Sequence, residues 1–182
     1  MKTLILDSDT IRMRRLEHAD IPSIIEYASD IEIAKNTYVP HPYPPEAAIE
    51  FVTMTREAWN NDDGYTFALI EKQHGDFVGV MGLHPEPRHY RGEIGYWIGK
   101  PHWGKGYATQ ALRLIIQFGF EKVSLNRVSA RHFTTNPASG RVMQKAGMIY
   151  EGTSRQEMYH QDTFKDTVLY AILKEDYHAQ NS

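Results

Sequence analysis

Cysteine is absent from the 182-residue sequence. This absence excludes disulfide bonds, a thiolate nucleophile and any metal site that uses cysteine ligands. A basic excess is also lacking, because 20 lysine and arginine residues are set against 23 acidic residues and the formal net charge is -3. General nucleic-acid binders usually carry a basic excess. We therefore expect no nucleic-acid partner.

Long apolar runs are missing as well. No stretch approaches the roughly 18 consecutive apolar residues that a membrane-spanning helix needs. The N-terminal MKTLILDSD also lacks the apolar core of a signal peptide, which is about 7–15 residues long. We therefore expect a cytoplasmic protein without a membrane partner. Linkers and internal repeats are absent too, so residues 1–182 are predicted to form a single domain.

Histidine is common by comparison, with nine residues. No two of them show the i, i+4 helical spacing with an intervening glutamate that is typical of zinc enzymes. The G-x-S-x-G elbow of serine hydrolases is also missing. We therefore predict no metal site and no hydrolase of that type.

Alternating apolar and polar residues predict several β-strands. Three of them follow one another with short connections, which favours an antiparallel meander; they are YTFALIE, DFVGVMGLH and EIGYWIG. Helical spacing predicts one helix from Pro45 to about Trp59 and another from Tyr107 to Phe120. Further strands are predicted at NRVSARHF, MIYEG and TVLYAIL. This mixture predicts the α+β class.

Two helix starts carry capping residues. Asp20 is predicted to cap the short helix that follows it. In NPASGRVMQKAG, Asn136 is the predicted N-cap, Pro137 the first helical residue and Gly147 the residue that ends the helix. The strand–helix–strand stretch over residues 93–133 is predicted to be a parallel, right-handed crossover.

The segment GYWIGKPHWGKGYATQAL places Gly104 and Gly106 where a strand gives way to a helix. Glycines permit positive φ in a tight turn, which alone could explain them. The first N–H groups of a helix also lack intrahelical partners, so the same turn could hold a phosphate-bearing ligand. An ATP-binding P-loop requires Ser or Thr at Gly106, and a dinucleotide fingerprint requires glycine at Thr109. Neither of these nucleotide motifs fits.

Residues 103–108, WGKGYA, resemble the signature Gln/Arg-x-x-Gly-x-Gly/Ala of the GNAT acetyltransferase superfamily. Trp103 stands where Gln or Arg is usual. EIGYWI, LNRV, NPASGRVMQKAGM and YEG extend the resemblance to the RimJ/RimL-like branch, which acetylates ribosomal-protein N termini. The resemblance is specific over residues 93–152 and looser over residues 10–172. It implies a mixed, mostly antiparallel twisted sheet with a central splayed parallel strand pair and helices on both faces.

The resemblance also implies acetyl-CoA as the cosubstrate, bound where EIGYWI and NRVSARHF splay apart. The pantetheine arm would pair with the main chain of Tyr96, Trp97 and Ile98. The pyrophosphate would rest on the turn formed by Trp103, Gly104, Lys105, Gly106, Tyr107 and Ala108. Lys105 could add charge there or be a solvated turn lysine. Asn136 would contact the CoA arm as well as cap its helix.

Two residues are implied to be catalytic. Ser139, in the Asn-x-x-Ser pattern, would protonate the leaving thiolate in place of the tyrosine that many superfamily members use. The alternative is a serine that bonds the backbone of its own helix start. Glu93 would remove the amine proton, directly or through a water, or it is simply a solvated strand-end acid. A backbone N–H within residues 96–98 could bind the developing oxyanion.

The acceptor implied by the branch is a protein or peptide N-terminal amine. A small amine such as an aminoglycoside, a polyamine or an amino acid is the alternative, as is a CoA-binding module without catalysis. The resemblance further implies that the chain can form a homodimer. Candidates for the acceptor wall, each of which could equally serve in core or lid packing, are Tyr38, His41, Tyr43, Trp59, His84 and Arg88.

Overall fold

A computed structural model describes residues 4–181, and the strands within them form one eight-stranded sheet. In chain order the strands are β1 (Leu6–Asp7), β2 (Ile11–Arg15), β3 (Tyr65–Glu71), β4 (Phe77–Glu86), β5 (Arg91–Ile98), β6 (Arg127–Phe133), β7 (Ile149–His160) and β8 (Thr163–Leu173). Their order across the sheet is β1-β2-β3-β4-β5-β6-β8-β7. Every neighbouring pair is antiparallel except β5 and β6, which run parallel as predicted.

Helices cover both faces of the sheet. They are α1 (Ile21–Ala28), α2 (Ile31–Ala34), α3 (Pro45–Asn60), α4 (Tyr107–Glu121), α5 (Pro137–Lys145) and α6 (Lys174–Gln180). One apolar cluster joins Leu112 of α4 and Met143 of α5 to the sheet, and a second joins Ile24 of α1 and Val52 of α3 to the opposite face. Within residues 4–181, no helix combines the length and apolar character needed to cross a membrane.

The capping signals predicted for α5 are confirmed. The side chain of Asn136 accepts a hydrogen bond from the Ser139 N–H at 3.4 Å, and Pro137 is the first helical residue. Gly147 follows the helix with φ +92°, the left-handed conformation that glycine tolerates best. Local sequence therefore fixes where this helix begins and ends, and with it the position of Ser139.

The parallel strands β5 and β6 pair over only part of their length. Their register runs from Arg91 opposite Arg127 to Ile94 opposite Ala130 and then stops. Both strands nevertheless continue, because β5 stays paired with β4 and β6 stays paired with β8. The two strands therefore diverge within an otherwise continuous sheet, as the resemblance implied.

A β-bulge lies beside this divergence. The partner of Leu69 on β4 is Gly79, whereas the partner of Ile70 is Phe77, so β4 contains one extra residue. A Cβ added at Gly79 would lie 2.3 Å from the carbonyl oxygen of Trp97. Glycine at this position therefore allows β4 to approach the last part of β5 closely.

The prediction that Asp20 caps α1 is wrong. Its side chain makes no cap hydrogen bond to α1, and the residue is buried with helical backbone angles. Its carboxylate instead accepts hydrogen bonds from both terminal nitrogens of Arg14, at 2.7 and 2.8 Å, and from the Glu17 N–H at 2.8 Å. A bidentate, charge-assisted partner stabilises a buried carboxylate more than a neutral cap does.

The last hairpin is longer than MIYEG and TVLYAIL predicted, because β7 and β8 extend to His160 and Thr163. Most side chains of β7 are exposed, so this edge strand lacks the apolar alternation on which the prediction relied. The extended hairpin reaches the first helices of the chain. There the ring Nε2 of His160 is 2.8 Å from the carbonyl oxygen of Ala34.

Replacing Asp20 with alanine would leave the guanidinium of Arg14 without its carboxylate in a largely buried position. We expect Asp20→Ala to lower the free energy of unfolding by about 3 kcal/mol, measured by urea denaturation. Asp7→Ala is the matched control, because Asp7 also pairs bidentately with an arginine, Arg12, but in an exposed position. It should barely change the unfolding midpoint. Equal losses in both variants would contradict this account.

Candidate active site

A cleft of about 400 Å³ opens where β5 and β6 diverge. It is lined by the end of β5, the turn before α4, the first turns of α5, and α2 with the residues after it. The predicted site residues that line it are Tyr96, Trp97, Ile98, Trp103, Gly104, Gly106, Tyr107, Ala108, Asn136 and Ser139. Lys105 is exposed and does not line the cleft, and neither does Glu93.

The Gly-Lys-Gly turn forms the end of the cleft at the start of α4. Gly104 has φ +74° and Gly106, the N-cap of α4, has φ +79°, so both occupy the left-handed region. A Cβ added at either glycine would have no protein atom within 4 Å. The space in front of the turn is therefore open to a ligand, and the first N–H groups of a 15-residue helix border it. This arrangement fits a bound pyrophosphate.

Trp103 stands at the signature position where Gln or Arg is usual, and it makes a contact of its own. Its indole N–H donates a hydrogen bond of 2.6 Å to the carbonyl oxygen of Ile98, the last residue of β5. Next to it, the Nε2 of His102 is 3.1 Å from the hydroxyl of Tyr27, and burial lowers the pKa of His102. A Cβ at Gly99 would lie 2.8 Å from the Tyr27 ring. These contacts hold the turn against β5 and α1.

Ser139 and Tyr96 meet across the gap between β5 and α5. The Tyr96 hydroxyl lies 2.6 Å from Ser139 Oγ and 3.4 Å from the carbonyl oxygen of the same serine. Burial raises the pKa of Tyr96 to about 12. The sequence prediction assigned Tyr96 a main-chain role only, because nothing in the sequence indicates a contact between residues 43 positions apart.

Glu93 lies on the other face of β5, since successive strand residues alternate. Its Oε1 is 3.0 Å from Nε of Arg131, a residue that lines the cleft. Nη1 of Arg131 also donates to Glu157 Oε1 at 2.7 Å. A hydrogen bond from the Thr167 hydroxyl, together with the nearby Arg131, lowers the pKa of Glu157. An arginine thus holds two carboxylates beside the cleft, of which the sequence predicted only Glu93.

Residues 10–149 match the family model described as an acetyltransferase (GNAT) domain. The chain belongs to the GNAT acetyltransferase family. YoaA of Bacillus subtilis, named as an uncharacterized N-acetyltransferase, is 30% identical over 171 residues, which are 93% of this chain and 97% of YoaA. The chain is therefore an N-acetyltransferase of the GNAT type.

Two further comparisons concern ribosomal proteins. The ribosomal-protein-serine acetyltransferase of Escherichia coli is 31% identical over 109 residues, covering 59% of this chain and 61% of that enzyme. The solved structure of RimL, a ribosomal L7/L12 alpha-N-protein acetyltransferase in complex with coenzyme A, superposes with a TM-score of 0.84. That match covers 93% of this chain and 98% of the other at 18% identity, so it shows a shared fold.

None of the predicted acceptor-wall residues lines the cleft of this GNAT enzyme. Trp59 packs against the core, with its ring centroid 4.7 Å from that of Phe67 and the guanidinium of Arg15 over its face. Tyr38 packs its ring against Phe133 and His160. The cleft is lined instead by the α2 region, through Glu32, Ile33, Asn36 and Thr37. Short polar side chains there carry no sequence signal comparable to an aromatic cluster.

Helix α5 contributes basic side chains that the sequence prediction missed. Arg141, Val142 and Lys145 line the cleft together with Ala138 and Ser139. These positions recur every three or four residues from the start of the helix, so they share one face. Helical periodicity counted from the Asn136 cap could have identified them as a positive border of the site.

One histidine–carboxylate group is assembled within residues 4–181, at the turn between β3 and β4. It consists of Glu71, His74 and Asp76, and it lies outside the cleft. The Glu71 carboxylate accepts hydrogen bonds from the Gln73 and His74 N–H groups and contacts the His74 ring. The hydrogen bonds of the Glu71 carboxylate are thus made to the turn itself, and they stabilise the turn between β3 and β4.

Gly106→Glu tests whether the glycine turn binds acetyl-CoA. A carboxylate placed in the open space before α4 would repel a pyrophosphate, so we expect the dissociation constant to rise at least tenfold, about 1.4 kcal/mol of binding free energy. Calorimetric titration with acetyl-CoA would measure it. Gly75→Glu is the matched control, because Gly75 has φ +81° and equally open surroundings in the β3–β4 turn. Unchanged binding by a folded Gly106→Glu variant would contradict the assignment.

Proposed function

We propose that this enzyme transfers the acetyl group of acetyl-CoA directly to the N-terminal amine of a protein or peptide. The observation that carries the proposal is a single cleft with lining residues from both sides of the divergent strands. Ser139 and the glycine turn border one side, and the α2 region borders the other. Gly95 keeps the passage open, because a Cβ there would have no protein atom within 4 Å.

Acetyl-CoA supplies an activated thioester when it is bound. The N–H groups of residues 104–108 would hold its pyrophosphate, and Arg141 and Lys145 add positive charge at the border of the cleft. Beyond Ile94, the edge of β5 that faces β6 has no strand partner, so its main chain can pair with the pantetheine amides. Holding both reactants in one geometry supplies a large share of the rate.

The amine must lose a proton before it attacks. We assign this step to Glu93, acting directly or through a water, because its carboxylate is 46% exposed and lies beside Arg131 at the cleft. Glu157 is less suited, since its lowered pKa reflects a carboxylate already engaged by Thr167 and Arg131. The Ser139 hydroxyl, fixed in the first turn of α5, donates a proton to the leaving thiolate.

The α2 border of the cleft supports a peptide acceptor. Glu32, Asn36 and Thr37 are partly exposed, and together with Arg131 they provide polar groups able to contact a peptide main chain. The similarity to an enzyme named for ribosomal-protein serine supports the same class of acceptor. We further propose a cytoplasmic location, where acetyl-CoA and protein N termini are both present. The homodimer implied by the resemblance stays a prediction that light scattering can test.

A panel of amines tests the proposed acceptor. Thiol release from acetyl-CoA would be followed with peptides of varied N-terminal residues, spermidine, aminoglycosides and free amino acids, and the products would be identified by mass spectrometry. We expect turnover with peptides, acetylated at the α-amine. Turnover with one of the small amines and with no peptide would contradict the peptide acceptor and would identify a small-molecule amine as the substrate. Bound acetyl-CoA without turnover of any amine would support a non-catalytic CoA-binding module.

Glu93→Gln tests the proton acceptor. An α-amine titrates at about 7.7–8.0, so it is largely protonated at pH 7 and largely free above pH 8.5. We expect kcat/KM to fall about 10- to 100-fold at pH 7 and to recover partly as the pH rises through the amine pKa. Glu86→Gln is the control, because Glu86 is equally exposed and also paired with an arginine, at the far end of β4. A loss that is independent of pH would contradict the role.

A further inference from the structure

The contact between Tyr96 and Ser139 is not explained by core packing alone. Both residues line the cleft, and their hydroxyl oxygens are 2.6 Å apart. Strand alternation directs the Tyr96 side chain to the face of β5 that α5 covers. The hydrogen bond therefore spans the gap beside which the thioester would lie, and it involves the serine proposed to protonate the thiolate.

The acidities of the two hydroxyl groups indicate which of them donates this hydrogen bond. A phenol is a much stronger acid than an aliphatic alcohol, so in a short contact between the two the phenol is the better donor and the alcohol oxygen the better acceptor. Burial raises the pKa of Tyr96 to about 12, so the proton stays on its oxygen at neutral pH. The alternative acceptor, the carbonyl oxygen of Ser139, is 3.4 Å away. With Tyr96 as the donor, Ser139 Oγ accepts this hydrogen bond and the serine hydrogen is left for another acceptor.

We propose that Tyr96 is a positioning residue that directs the Ser139 hydroxyl hydrogen into the cleft, toward the sulfur of coenzyme A. This inference rests on the proposed function, since it assigns a partner to the serine at the same site. In the reaction the amine nitrogen bonds to the acetyl carbon and the carbon–sulfur bond breaks. The amine proton leaves to Glu93, and the sulfur takes a proton from Ser139. Ser139 then regains a proton from water and Glu93 releases the amine proton to water, while Tyr96 keeps its own proton and holds the serine oxygen in place.

Tyr96→Phe removes the hydroxyl and keeps the ring, so it separates positioning from packing. We expect kcat to fall about tenfold, the loss typical of one hydrogen bond, with the KM for acetyl-CoA within about twofold of the wild-type value. The kcat of Ser139→Ala should fall by at least the same factor. Because Tyr96 acts through Ser139, the double variant should be no slower than Ser139→Ala alone.

A second readout does not depend on turnover. The ultraviolet absorbance of the thiolate reports the thiol pKa of coenzyme A bound to the full-length protein. A directed Ser139 hydroxyl would stabilise the thiolate and lower that pKa below its value in free coenzyme A. In Tyr96→Phe we expect the pKa to return toward the free value. The other charged and titratable groups that line the cleft are the same in both proteins, so they do not produce the difference; they are Glu32, His102, Arg131, His132, Arg141 and Lys145.

Tyr65→Phe is the matched control. Tyr65 donates a hydrogen bond to Asp62 at 3.0 Å, its pKa is also raised to about 12, and it lies outside the cleft. We expect this variant to keep the wild-type kcat and the wild-type pKa of the bound thiol. Thermal denaturation of each variant would verify that it is folded.

The results separate this inference from the proposed function. A folded Tyr96→Phe variant with wild-type kcat and an unshifted thiol pKa would overturn the positioning role. So would a double variant slowed by the product of the two single effects. Absence of turnover by the wild-type protein would overturn the proposed function instead, and the thiol titration would still decide whether Tyr96 directs the Ser139 hydroxyl.

Discussion

Main-chain pairing between β5 and β6 ends at Ile94 and Ala130, although both strands continue as part of the sheet. Each strand keeps its outer neighbour, so the facing edges have no strand partner there, and on β5 the Ile98 carbonyl oxygen is bound by the Trp103 indole instead. Backbone polar groups inside a fold need a partner, whether protein, water or ligand. This unpaired edge is the constraint on which the site depends, because the cleft and the approach of α5 follow from it.

The alternation of side chains along β5 then decides on which face of the sheet each proposed functional residue lies. Tyr96 and Glu93 lie on the same strand but on opposite faces, so one meets α5 and the other meets Arg131. The glycine turn lies at the far end of the same strand, held there by the Trp103 indole. A single strand therefore positions the proposed phosphate, thiolate and amine functions, and the loops around it need only close the two sides.

Local signals in the sequence predicted much of this arrangement. Three of these signals depend only on residues close to one another in the sequence: the caps of α5, the helical spacing of α4 and the paired glycines. The structure contains all three. The contacts that the sequence did not reveal join distant residues. Asp20 lies against Arg14 rather than capping its helix, and Tyr96 reaches a serine 43 positions away. Such pairings depend on tertiary packing, which overrides local preference.

Hydrogen–deuterium exchange with and without acetyl-CoA would test the central claim most directly, because it reports main-chain N–H groups one segment at a time. If the unpaired edge of β5 and the glycine turn receive the ligand, exchange should slow in residues 95–98 and 103–108. Exchange in β2 and β3, which are paired on both sides, should stay unchanged. Tight binding that leaves exchange unaltered in both of the first two segments would contradict this placement of the ligand.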